Sequence, residues 1–140
     1  MLPKQMSVIV VGLAYFAIIF SFAFAMGVAR ALVVAPLVGE AAAVFLEVPV
    51  LLVASWFVSR RLVRDQLFSL AQLASIGAIA FALTMASEAV LANIIRAQSL
   101  AEWASQLASP LGLVGLGAQL SFAGVPSFAG GRQMTQWHEP

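Results

Sequence analysis

Two glutamates lie inside apolar stretches long enough to cross a membrane. Glu47 falls in GEAAAVFLEVPVLLVASWFVSRR (39–61), and Glu88 follows Thr84 by one helical turn in a second such stretch. A charged side chain at the bilayer centre costs about 2.5 kcal/mol or more, so an ionisable residue there is read as functional before it is read as structural. Arg30 and Glu40 lie above Glu47 and Glu88 at the outer rim, and Arg30, the Ser21 hydroxyl or Gln119 could hold Glu47. The candidate intramembrane polar or ion site is therefore Glu47, Glu88, Glu40, Arg30, Thr84 and Gln119. Two carboxylates in a low dielectric can hold one proton between them and exchange it for a cation. The competing reading is structural, because polar side chains also join helices in membranes, at about 0.6 kcal/mol each.

Other chemistries find no residues. Cysteine is absent, which removes disulfides, thiolate catalysis and Cys-based metal sites. The one histidine, His138, lies in the C-terminal tail, so a buried His-based metal centre or a Ser-His triad is not expected. No metal and no cofactor is expected. The glycines 112, 115 and 117 fall within an apolar span and read as a packing surface rather than a phosphate cradle. With a net charge of +1 and no basic face, nucleic acid is not an expected partner. An enzyme is accordingly not expected.

The elements that must position the polar residues are helices. The chain has 140 residues, of which 62% are hydrophobic and 9% charged, whereas a soluble domain is about one quarter charged. Lipid is therefore its expected solvent. We expect an all-α, polytopic membrane protein, a single bundle of four transmembrane helices over residues 1–128. The spans are about 7–28, 40–58, 67–95 and 110–128, followed by a polar cytoplasmic tail at 129–140. The apolar run of the first span is too long for a signal-peptide core. Its Ala17, Ser21 and Ala25 form a small-residue stripe that lets a neighbouring helix approach closely, with Tyr15 on another face. Pro36 and Gly39 break the connector at 29–39.

In the second span Glu40, Ala43, Glu47, Leu51, Ala54 and Val58 share one face, and Phe45, Pro49, Leu52 and Trp56 share the lipid side. Pro49 implies a kink close to Glu47. Asp65 is the expected N-cap of the third helix, in which Gly77, Phe81, Thr84, Glu88 and Ala92 share a face. Ser99-x-x-Glu102 fits a capping box opening a short amphipathic helix on the membrane surface, with Trp103 at the interface. Ser109-Pro110 opens the last span, whose Gly112, Gly115, Gln119, Ala123 and Pro126 should face inward. The short turn between spans two and three suggests an antiparallel pair that sets Glu47 against Glu88.

Arginine and lysine set the orientation. With the N-terminus in the cytoplasm, Lys4, Arg60, Arg61, Arg64 and Arg132 fall inside, and Arg30 and Arg96 outside. This fits a multi-pass protein of a cell (inner) membrane with both termini cytoplasmic. Both glutamates then lie about seven residues from the outer ends of their helices, about 10 Å deep at 1.5 Å per residue.

In size and helix count the chain resembles the small multidrug exporters. Their functional glutamate lies in the first helix, whereas the first span here has no acidic residue, and the chain is not assigned to them. The expectation is a small, non-enzymatic integral membrane component, an accessory or oligomeric one, whose partners are the bilayer and a homo-oligomer or larger membrane complex. The alternative is a proton- or cation-coupled small transporter or channel using Glu47 and Glu88.

Overall fold

The computed structural model describes residues 6–135, with side chains through 130. The chain is all-α, a bundle in which four helical stretches are long and apolar enough to cross a membrane. Helix α1 (Val8–Ala29) starts at Ser7, whose hydroxyl accepts from the Val10 N–H at 3.2 Å. The expected connector is not a loop. The helix continues through one π-helical turn (Arg30–Val34) into α2 (Ala35–Val38). The wide turn lies directly before Pro36, whose ring would press on the carbonyl four residues back in a regular helix. The chain reverses at Gly39, where φ of +87° suits glycine.

Helix α3 (Glu40–Val63) runs unbroken through Pro49 and exceeds its expected end at 58. Glu40 in its first turn and Arg60 and Arg61 in its last complement the helix dipole. Asp65 is not a cap. It pairs with Arg64 at 3.3 Å and lies 4.0 Å from Arg61. The cap of α4 (Leu70–Arg96) is Ser69, in a reciprocal box with Gln72 at 2.9 and 3.2 Å. The expected box at Ser99 and Glu102 opens α5 (Leu100–Leu107), with bonds of 2.7 and 3.2 Å. Ser109 caps α6 (Pro110–Thr135), accepting from the Gly112 N–H at 3.1 Å. The tail expected from 129 thus begins as helix, and Trp137 and His138 lie outside the described residues.

Around the bundle the order is α1, α3, α6, α4. Helices α1 and α6 each pack on both α3 and α4, while α3 and α4 lie across the diagonal with no contact between their backbones among the described residues. The expected antiparallel α3–α4 pair is therefore not formed. The six-residue link 64–69 is long enough to cross the diagonal, at about 3.3 Å per extended residue. Met6 reaches this link, donating its backbone N–H to Gln66 Oε1 at 2.8 Å, so the start of the chain and the 64–69 link share one end of the bundle.

The buried core lies toward that end and includes Val11, Tyr15, Ile19, Leu73, Ile76 and Phe122. On α1 the Tyr15 face is the buried one. Ala17, Ser21 and Ala25 are exposed. The close approach occurs instead between α4 and α6. A Cβ on Gly77 would sit 1.8 Å from the Ala123 carbonyl oxygen, so only glycine permits this spacing.

Candidate functional site

The end of the bundle opposite the core holds a cavity of about 710 Å³ between α1, α3, α4 and α6, with α5 at its mouth. That volume is in the range of sites for small organic molecules, about 300–1,000 Å³. Arg30, Glu40, Glu47, Thr84, Glu88 and Gln119 all line it. The structure brings the six sequence-derived residues to one space, five of them in two separate groups and Thr84 bonded back to its own helix.

The first group ties the π-helical turn to α3. Arg30 Nη1 pairs with Glu40 Oε1, and Arg30 Nε lies 2.7 Å from Glu47 Oε2. Glu40 and Glu47 are seven residues apart, two helical turns on one face, so a single guanidinium reaches both. The Nε–Glu47 contact is ionic rather than an aligned hydrogen bond. Glu47 is 13% exposed and Arg30 26%, so water screens this pair only in part. The π-helical turn carries Arg30 toward α3, a common use of such turns at functional sites.

The second group joins α4 to α6. Gln119 Nε2 donates to Glu88 Oε1 at 2.6 Å. Glu88 forms no ion pair among the described residues. Glu47 and Glu88 thus hold different partners, and the direct pairing expected from chain order is replaced by two independent anchors facing one cavity. Thr84 and Ser55 also line it. Each hydroxyl is turned back on its own helix, donating to Ala80 O at 2.9 Å and Leu51 O at 2.7 Å respectively.

Ser55, Arg96 and Trp103 are cavity residues outside the expected set. Ser55 had a legible signal. Ala43, Glu47, Leu51, Ser55 and Ser59 recur every fourth residue, and Ala43, Ser55 and Ser59 are buried. The reading at 3.6 residues per turn passed through Ala54 and Val58 instead. Arg96 reads in the sequence as an outside residue and Trp103 as an interfacial one, and both line the cavity at its α4–α5 end. Gly27 and Gly115 line it too, and a Cβ on either would meet nothing within 4 Å. The empty space is therefore bounded by residues that leave it open.

Below the cavity Tyr15 closes the bundle. Its hydroxyl donates to the Phe122 carbonyl at 2.9 Å, and its ring stacks on that of Phe122 at 4.6 Å between centroids. Phe122 lines the cavity and Tyr15 does not. The pair forms part of the floor.

Set against models of protein families, against characterised proteins and against solved structures, the chain matches none.

Proposed function

We propose that this is a non-enzymatic integral membrane component that binds a small cationic solute in the cavity of its bundle, with Glu88 as the charge that selects it. The observation that carries the reading is the state of the three cavity carboxylates. Glu40 and Glu47 are both engaged by Arg30, whereas among the described residues Glu88 forms no ion pair: it accepts from the neutral amide of Gln119 and feels the charge of Arg96 at the rim only from beyond ion-pair distance. Arg30 and Arg96 against Glu40, Glu47 and Glu88 leave one formal negative charge on the lining. Glu88 sits in a span, where an unmatched charge is costly. A cation entering the cavity meets that charge. The cation-coupled transporter reading is thereby favoured over a purely structural acidic cluster.

The orientation belongs to the same proposal. Arg60, Arg61 and Arg64 gather at the end that also holds Met6, and the cavity lies at the other. The charge bias then puts both termini in the cytoplasm of a cell (inner) membrane, with the cavity opening outward.

The test is equilibrium binding of phenylbutylammonium to the protein in lipid nanodiscs, with empty nanodiscs subtracted. Wild type binds saturably. Glu88→Gln weakens binding by about 2 kcal/mol or more, roughly thirtyfold in Kd, while Glu47→Gln changes it little. Equal binding by wild type and Glu88→Gln contradicts the proposal.

The oligomeric or accessory reading draws on a different observation. Ala17, Ser21 and Ala25 form an outward small-residue stripe on α1, a surface that suits a further helix. The chain has no cysteine, so Ala17→Cys and Ser21→Cys can be oxidised in membranes against a clean background. A cross-linked dimer at these positions, absent with cysteine at the half-buried Met26, supports that assembly. No cross-link at either position argues against a homo-oligomer through this face.

A further inference from the structure

Around Glu88 and Gln119 the polar atoms left over among the described residues are acceptors, whereas the leftover donor of the lining, Arg30 Nε, lies against Glu47. Gln119 gives its amide N–H to Glu88, and its Oε1 is buried with no partner. Among the described residues the second oxygen of Glu88 receives no donor. Ser55 and Thr84 have spent their hydroxyl hydrogens on Leu51 O and Ala80 O, so they present only lone pairs. The cavity's arginines do not supply the deficit. Arg30 is turned to Glu40 and Glu47, and Arg96 is exposed at the rim. A buried acceptor without a donor is a standing cost, greater in a membrane where no bulk water competes.

Aromatic groups raise a competing possibility. Phe20, Phe24 and Trp103 also line the cavity, and aromatic walls can hold a quaternary ammonium ion that has no N–H at all. A quaternary ion would leave Gln119 Oε1 and the free oxygen of Glu88 unmatched. The ring of Phe122 is already stacked on Tyr15, which reduces the aromatic surface available deep in the site. The acceptors therefore decide the chemistry.

We infer that the cavity takes a protonated primary or secondary amine carrying an apolar body, its N–H groups directed at Glu88 and Gln119. This rests on the preceding reading that the cavity binds a cation, and it adds the class of cation. The apolar body lies along the phenylalanine and leucine side chains of the lining, and the charged head meets Glu88 and Gln119. The selecting feature is hydrogen-bond donation, not charge alone.

The experiment compares phenylbutylammonium with its N,N,N-trimethyl counterpart by equilibrium dialysis against the protein in lipid nanodiscs. The two carry the same charge and the same apolar body. Wild type should bind the N–H-bearing cation at least about tenfold more tightly, a factor that corresponds to about 1.4 kcal/mol. Gly115→Leu adds a side chain where a glycine Cβ meets nothing within 4 Å, so it fills the cavity without a backbone clash and should abolish saturable binding of both cations.

Equal affinities, or tighter binding of the trimethyl compound, overturn this inference while leaving a cation site in place. Loss of saturable binding for both cations in wild type overturns the preceding reading as well. A preference that survives Gly115→Leu also overturns the inference, because the discriminating site then lies outside the cavity.

Discussion

The Tyr15 hydroxyl bonds the one carbonyl of α6 that Pro126 leaves without a donor. In a regular helix the Phe122 carbonyl accepts from the residue four positions on, which here is Pro126, with no N–H to give. Tyr15, from the diagonally opposite helix, donates to that carbonyl at 2.9 Å and stacks its ring on the Phe122 side chain. Both Tyr15 and Pro126 are fully buried. In lipid every freed backbone group needs an internal partner, and this pair shows how a proline is kept inside a spanning helix. The same contact fixes the diagonal of the bundle and the floor of the cavity.

Tyr15→Phe should retain the stacked ring and lose only the donor. The Phe122 carbonyl is then buried and unsatisfied, at a cost of about 1–3 kcal/mol. Pro126→Ala restores the helix donor, so Tyr15→Phe should cost much less in that background. Unfolding of the four proteins in mixed micelles closes the cycle, and additive effects would show that Tyr15 and Pro126 are not coupled.

Gly77 and Gly117 should respond oppositely to alanine. At Gly77 the new Cβ would lie 1.8 Å from the Ala123 carbonyl oxygen, which forces α4 and α6 apart and costs about 1–3 kcal/mol or more. At Gly117 a Cβ meets nothing within 4 Å, and alanine gains up to about 1 kcal/mol of helix propensity. Equal stabilities of the two variants would contradict the close α4–α6 approach.

Arg30 should behave as a bridge and not as a solvated surface charge. Arg30→Met leaves Glu47 largely buried without its cation, a loss of about 3 kcal/mol, the lower end for a broken buried pair because Arg30 is partly exposed. Adding Glu47→Met should recover most of that loss. A double variant no more stable than Arg30→Met would place the effect elsewhere, in the π-helical turn itself.

Acid should loosen the surface helix. The Ser99 backbone N–H, donating at 2.7 Å, is the main cause that holds the Glu102 carboxyl below its ordinary value of 4.5, and the Ser99 hydroxyl adds to it. The folded pKa is lower than the unfolded one, so the contribution of this cap is complete above about 4.5 and is lost as pH falls through the lowered value. Amide protection at Trp103, whose N–H bonds the Ser99 carbonyl at 3.0 Å, should fall across that window. Glu102→Gln keeps an acceptor and should show no such step. A step of the same size in Glu102→Gln would assign it to another group.

Much of the fold was readable because local signals and burial agree. Runs of apolar residues marked four helices long and apolar enough to cross a membrane, Ser99 and Glu102 marked a capping box, and Gly112, Gln119 and Pro126 marked the inward side of α6. Where a stronger signal competed, the reading failed. Asp65 drew attention as a cap, although Ser69-x-x-Gln72 has the same capping-box spacing as Ser99-x-x-Glu102. Pro36 and Gly39 looked like a broken connector, and only three-dimensional packing shows that a π-helical turn carries α1 past the proline. The small stripe of Ala17, Ser21 and Ala25 suggested an inward face, but α1 buries the face of Val11, Tyr15 and Ile19 instead, with Tyr15 donating to the Phe122 carbonyl. The six polar residues could be chosen by type and depth. Their division into an Arg30 group and a Glu88 group could not, because helix order around the bundle is not encoded in chain order.

The most direct measurement is the infrared difference spectrum of the protein in lipid on adding phenylbutylammonium. A perturbed carboxyl or carboxylate band should appear in wild type, disappear in Glu88→Gln and persist in Glu47→Gln, with Gly115→Leu silent. A band that persists in Glu88→Gln, or that is lost only in Glu47→Gln, would show that the cation does not meet Glu88. The claim that this carboxylate selects the occupant of the cavity would then be wrong.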